Sequence, residues 1–195
     1  MQLSAWKQMR LNLRRDREKL LALLREHQVP NPSLLWLYPS YQCVVLHRLS
    51  SYNFQAGRRT LARLFWHLNL LLTGADIAPS SSIGPGLVIL QPNSTQLFGV
   101  IGADCVFWGY GGIGGGRSSA DIGAGPGLPV IGDRVIFSAR AMVLGPVRVG
   151  NDCVLGPGVI VVTDVSANTS VDVPDRFQRT ARVEADDAGT AASAE

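Results

Sequence analysis

The segment 131–165, IGDRVIFSARAMVLGPVRVGNDCVLGPGVIVVTDV, places an apolar residue at every sixth position: Ile131, Phe137, Val143, Val149, Leu155 and Val161. Helices repeat every 3.6 residues and strands every two, so a period of six marks an internal structural repeat. Gly132, Gly150 and Gly156 follow directly on members of the series. Small or β-branched residues stand two places before it at Val135, Ala141, Val147, Cys153 and Val159. This pattern predicts a solenoid whose 18-residue triangular coils each contain three short strands. The sixth residues point inward and stack from coil to coil, small residues fill the tight corners, and glycine opens the turns.

Carried outward in both directions, the same step runs from Ile77 through Ile83, Ile89, Thr95, Ile101, Phe107 and Ile113, and ends at Ala167 and Val173. Thirteen of the seventeen positions from Ile77 to Val173 are Ile, Leu, Val or Phe. The pattern lapses where Ser119 and Gly125 fall on it, within GGGRSSADIGAGPGLPV at 114–130, which reads as a loop thrown out of the coil. A second irregularity is GPGLVILQPNSTQLFGVIG at 84–102, where six polar or turn-forming residues, Gln91 to Gln96, interrupt the apolar ladder. The uniform step keeps Thr95 in register, so this stretch is expected to stay part of the coil.

Ahead of the repeat the regime is helical. Residues 3–28 form an amphipathic pattern with Leu13, Leu20, Leu21 and Leu24 on one face, closed by Pro30 and Pro32. Two more helices are expected over 34–54 and 59–73, the second ended by Gly74. The expected organisation is a helical domain over 1–76, a β-helix over 77–176 with its loop at about 114–130, and a disordered tail over 177–195.

Charge is unevenly shared. Residues 1–76 hold eleven Lys/Arg against four Asp/Glu (+7), and residues 77–195 hold seven against eleven (−4). No basic stripe with interleaved aromatics appears, which argues against nucleic-acid binding. The longest apolar segment, Leu61 to Leu72, contains Arg63, His67 and Asn69 and is too short to span a bilayer. Cys43, Cys105 and Cys153 have neither metal-ligand nor redox spacing and read as free thiols in a reducing, cytoplasmic setting. Cys105 and Cys153 sit at the small inward position, where a thiol is core filling. GGIGGGR at 111–117 lacks the Gly-Lys-[Ser/Thr] ending of a phosphate loop. The three histidines, His27, His47 and His67, all lie in the helical part, so the repeat holds no zinc ligand set and no metal is expected.

A helical segment feeding this repeat resembles the serine acetyltransferase family of hexapeptide-repeat acyltransferases. The residues that carry the resemblance are YQCVVLHRL (41–49), GRRTLARLFWHLNLLLTGADIAPSSSIGPGL (57–87), GGIGGGR and PVIGDRV (129–135) with VRVGNDCVLGPGVIVVTDV (147–165). The resemblance implies a left-handed parallel β-helix, a homotrimer that can pair into a dimer of trimers, and active sites between neighbouring prisms. It also implies a histidine general base that takes the acceptor's proton as the acceptor attacks an acyl thioester.

The family's Asp-His pair falls here on Leu90-Gln91, and its Arg-His-Pro on Gly127-Leu128-Pro129. Glutamine has no basicity near neutral pH, and glycine offers no guanidinium to an acceptor carboxylate. Two readings follow. In the first, an acyltransferase with altered chemistry uses a pocket rebuilt from Gln91, Asn93, Ser94, Trp108 and Tyr110, and an amine acceptor would need less help from a base than an alcohol. Its donor would be acyl-coenzyme A or a phosphopantetheine thioester on a carrier protein, held by Ala139, Arg140, Ala141, Gly156 and Pro157. The basic N-terminal third suits an acidic carrier protein. The family's C-terminal Gly-x-Pro-Ala is replaced by Asp172-Val173-Pro174-Asp175, which weakens the case for coenzyme A itself. In the second, the protein is a catalytically inactive trimeric scaffold or regulatory partner.

Overall fold

The computed structural model describes residues 4–29 and 32–173. Three helices come first: α1 (Ala5–Glu26), α2 (Pro39–Gln55) and α3 (Arg59–Thr73), with a 3-10 turn at Pro32–Leu37. The helix expected over 34–54 is therefore split, because Pro39 starts α2 at a position that proline favours. Fourteen short strands follow: β1 (Asp76–Ile77), β2 (Ser82–Ile83), β3 (Val88–Ile89), β4 (Gln96–Leu97), β5 (Val100–Ile101), β6 (Val106–Phe107), β7 (Gly112–Gly114), β8 (Val130–Ile131), β9 (Ile136–Phe137), β10 (Met142–Leu144), β11 (Arg148–Val149), β12 (Val154–Leu155), β13 (Ile160–Val161) and β14 (Ser170–Val171). The proposed tail, together with Pro30, Pro174 and Asp175, lies outside the described residues.

The strands stack into three parallel sheets in the orders β1-β4-β7-β10-β13, β2-β5-β8-β11 and β3-β6-β9-β12-β14. Sequence neighbours thus go to different sheets and, up to β13, every third strand returns to the same one, the topology of a three-sided parallel β-helix. Inside, the sixth residues form columns. One runs Ile89, Phe107, Phe137, Leu155 in strand register, with the two phenylalanine rings stacked 4.3 Å apart. These side chains are buried together in one core, at about 25 cal/mol for each Å² of apolar surface withdrawn from water. Cys105 and Cys153 lie in it, both fully buried.

The step is not uniform, and this corrects two expectations. Ile77 pairs with Leu97, not Thr95. Leu97 stands eight positions after Ile89, and Ile101 four positions after Leu97. The turn containing Gln91–Thr95 is enlarged by two residues, and the next corner is shortened by two. That short corner turns at Gly99 (φ 144°), where a Cβ would stand 2.5 Å from the Pro129 carbonyl, so only glycine fits. Thr95 is buried instead at the small inward position, its hydroxyl bonded to the Gln91 carbonyl at 3.1 Å. The last coil is shortened in the same way: Leu155 pairs with Val171 and Val149 bridges Val165, so Val165 and Val171 take the places expected for Ala167 and Val173. Between β7 and β8 the chain leaves the coil.

Helix α1 lies across the outer face of the third sheet. Leu20 and Leu24 pack on Val88 and Val106, which are buried on that face. An ion pair locks the helices to the prism: Arg48 of α2 donates to both carboxylate oxygens of Asp16 (2.9 and 3.0 Å) and to the carbonyls of Ile83 and Gly84 (2.6 Å each). Asp16 also accepts from the Leu87 amide at 2.8 Å. A buried pair needs this completeness, since any unmatched charge or donor there is costly. At the prism surface Arg15 and Lys19 of α1 reach Asp104.

Candidate active site

The turns joining the third sheet to the first form one edge of the prism. They are 90–95, 108–111, 138–141 and 156–159, stacked one above another. All of the candidate residues from the sequence lie on this edge, although they are spread over almost seventy positions. Strand register carries Leu90, Trp108, Ser138 and Gly156 into one column: the Leu90 amide donates to Phe107, Trp108 to Phe137, and Ser138 to Leu155, each at 2.9 Å. Beside it Gln91 stands over Gly109, whose Cβ, if present, would be 2.2 Å from the Gln91 carbonyl. Next come Ser94, Tyr110, Arg140 and Gly158, all in the left-handed region (φ 57°, 58°, 63° and 71°). The side chains of Ser94, Tyr110 and Arg140 are exposed there.

The side chains therefore differ in availability. Gln91, Asn93 and Ser94 are exposed, as are Ala139, Arg140 and Pro157, and Trp108 and Tyr110 are each 46% exposed. Asn93 and Ser94 cap the end of α3, with the Ser94 amide donating to the Gly74 carbonyl at 3.0 Å and the Asn93 side chain lying against Gly74. Ala141 is enclosed in the core, its carbonyl taken by the Gly112 amide at 2.9 Å. Gly156 is buried, with Asp172 packed where its Cβ would be. The edge thus offers Gln91, Trp108, Tyr110 and Arg140 as accessible polar or aromatic groups. The four turns carry no carboxylate or imidazole of their own; the Asp172 carboxylate stands against Gly156 beyond the last of them. Of the loop pair, Leu128 lies near Gly115 and Gly127 folds against Ser118.

A residue that the sequence reading left out reaches this edge. His27, at the C-terminal end of α1, meets the Trp108 ring edge to face, with centroids 6.3 Å apart. The other two histidines are placed elsewhere. His67 is exposed on α3 and bonds to the Arg63 carbonyl. His47 is sealed inside the helices, neither ring nitrogen has a partner, and burial pushes its imidazole down to about 3. A cleft of about 730 Å³ also lies away from these turns. It lies between α3 and the first coil, lined by Phe54, Arg59, Arg63, Trp66, Pro79 and Phe98.

Comparison with known proteins agrees with this geometry. The bacterial transferase hexapeptide family (six repeats) matches residues 129–163. Serine acetyltransferase of Mycobacterium tuberculosis is 34% identical over 140 residues, covering 71% of this chain and 59% of the relative. That of Synechococcus elongatus is 31% identical over 147 residues, covering 73% and 58%. The crystal structure of Neisseria gonorrhoeae serine acetyltransferase superimposes with a TM-score of 0.74 at 27% identity, over 86% of this chain and 66% of that one. The chain is a serine acetyltransferase-like hexapeptide-repeat protein. Soybean serine acetyltransferase complexed with serine superimposes with a TM-score of 0.70 at 26% identity, over 82% of this chain and 66% of that one. The serine acetyltransferase-like chain spans just under three fifths of the length of these two curated relatives. Among its described residues no helix is long and apolar enough to cross a membrane, and no cluster of three metal-binding side chains occurs.

Proposed function

We propose that the protein transfers an acyl or aminoacyl group from a pantetheine thioester, borne by coenzyme A or by a carrier protein, at the edge that carries Gln91, Trp108, Tyr110 and Arg140. The observation that carries this reading is the convergence of both candidate sets on one edge. Gln91 supplies an amide N–H able to hydrogen-bond the thioester carbonyl, the Trp108 and Tyr110 rings cover an apolar arm, and Arg140 offers a cation to a phosphate. The backbone of 138–141 and 156–158 lies directly below, in the line an extended pantetheine arm would follow.

The active unit is a homotrimer, able to form a dimer of trimers. The outer face of the first sheet, next to this edge, supports it. Ile160 and Val162 are 60% and 63% exposed there, and Phe98, Met142 and Leu144 are half-buried, an apolar surface that a second prism would cover. Leu90-Gln91 and Gly127-Leu128 in place of charged pairs support an acceptor that is not gripped through a carboxylate at those positions.

Thermal-shift titration with acetyl-coenzyme A, coenzyme A and a pantetheinylated carrier protein tests the reading, followed by mass spectrometry for acyl transfer. Stabilisation by at least one of them is expected. Stabilisation by none would leave the second reading, an inactive trimeric scaffold, which the absence of a base in the repeat favours. Separately, Gln91→His restoring acetylation of serine would mark simple loss of the base.

A further inference from the structure

We propose that His27 takes the acceptor's proton at this edge, so that the base absent from the repeat is supplied by the helical domain. The inference rests on the acyl-transfer reading above and assigns its missing proton acceptor.

The position of His27 is built by three features. The first is the packing of α1: Leu20 and Leu24 seat on Val88 and Val106, the outward residues of β3 and β6. Arg15 and Lys19 hold the helix at Asp104, just before β6, and His27 arrives at Trp108, just after it. The helix therefore runs along the strands and ends at the edge. The second is the way α1 stops. Val29 donates to the Leu24 carbonyl (2.9 Å) and Gln28 to Arg25 (3.0 Å), the double bond of a Schellman cap with Val29 packed in the Leu24 cluster. The left-handed residue of that cap is Gln28 (φ 54°), where glycine would be easier. His27 is thereby fixed one residue before the chain turns. The third is the ring itself. It is exposed, it meets Trp108 edge to face, and no described side chain or backbone group occupies its nitrogens. Trp108 adjoins Gly109, on which Gln91 stands.

An imidazole accepts protons near neutral pH, which neither Gln91 nor the rest of the edge can do. In the step assigned here, the acceptor's oxygen or nitrogen bonds to the thioester carbon while its proton passes to an unprotonated nitrogen of His27. The tetrahedral centre then collapses, the carbon–sulfur bond breaks, and the proton passes from His27 to the departing thiolate, which leaves as pantetheine thiol. No oxidant or further reactant is needed.

The test uses the full-length protein with S-acetylpantetheine, the arm common to both donors, and measures thiol release above the protein-free background, with water and with hydroxylamine as acceptors. Water needs a base and hydroxylamine does not. His27→Gln is expected to lower kcat with water by at least 10²-fold, with KM for the donor within twofold and the hydroxylamine rate kept. The retained hydroxylamine rate shows that the variant is folded. Equal water rates in wild type and His27→Gln would overturn the role of His27 and leave the acyl-transfer reading standing. No thiol release by wild type with either acceptor would overturn both. Independently of turnover, nuclear Overhauser contacts between the His27 and Trp108 rings are expected, and their absence would remove the geometry on which the inference stands.

Discussion

His47 makes the stability of this protein depend on pH in a way that can be worked out beforehand. The ring is 1% exposed, neither nitrogen has a hydrogen-bond partner, and the Arg48 cation is next to it in the chain. Burial first, and Arg48 second, bring its pKa from 6.5 down to about 3. In the unfolded chain the imidazole binds a proton once the pH falls below 6.5, but in the native protein it stays neutral until about 3. The unfolded state therefore holds the extra proton throughout that window. The stability due to a neutral His47 is complete above about pH 7 and is lost progressively as the pH falls. Each pH unit well inside the window costs about 1.4 kcal/mol, so the loss by pH 5 is about 2 kcal/mol. For a chain of this size that lowers Tm by about 4–8 °C. His47→Leu removes the titration and the two unpartnered nitrogens at similar volume. Urea unfolding at pH 7, 6 and 5, at one fixed protein concentration, should show wild type falling behind His47→Leu by about 2 kcal/mol between pH 7 and 5. Every other group titrates alike in the two proteins, so curves that fall in parallel would refute the burial of a neutral imidazole.

Removing the guanidinium in Arg48→Met strands the Asp16 carboxylate in the core. Urea unfolding should show a loss of about 3–5 kcal/mol, with much of it recovered in Asp16→Leu/Arg48→Met. Tyr110→Gly relieves a left-handed turn and should raise stability by about 1 kcal/mol while lowering thiol release from S-acetylpantetheine. Equal or lower stability would show that the Tyr110 side chain has a structural role. Burial pushes the Cys43 and Cys105 thiols up to about 12 and about 11. A thiol-directed reagent at pH 8 should therefore leave both unlabelled in the native protein and react with them only on the timescale of unfolding.

The period, the inward columns and the buried cysteines were legible because each coil repeats the same physical demand, so one irregular position cannot hide the rest. The enlarged turn at Gln91–Thr95 was hidden for the opposite reason. Its two extra residues are cancelled by the short corner at Phe98-Gly99, and Ile101 returns to the expected place. The signal was present locally: Leu97 is apolar and Gly99 follows it closely, whereas Thr95 is polar on an otherwise apolar series. An uncompensated shortening was missed at the last coil, where Val165 and Val171 compete with Ala167 and Val173. For the site, reading by period brings residues of successive turns to one edge because such residues must stack. His27 was beyond such reasoning. It is eighty-one positions from Trp108 in sequence, and the two meet only because α1 packs along the third sheet and stops where Gln28 turns the chain.

The turns also bear on whether the edge was rebuilt or merely relaxed. Left-handed residues recur at two edges of the prism. At the edge before the third sheet they are Gly86, Asp104, Arg134, Asp152 and Asn168, mostly types that tolerate the conformation. The one bulky member, Arg134, bonds Asp152 in the coil below at 2.6 and 2.7 Å, so its side chain has a structural use. At the candidate edge the corresponding residues are Ser94, Tyr110, Arg140 and Gly158. Gly158 shows that the turn needs no side chain. Tyr110 and Arg140 accept the strained conformation with no ion pair or side-chain hydrogen bond to the described residues in return. A relaxed scaffold under selection for stability alone gains nothing from two large, outward side chains in such turns, whereas an edge that grips a ligand does. Backbone strain kept where the fold does not require it is the pattern of functional sites, and it favours a rebuilt site over an abandoned one.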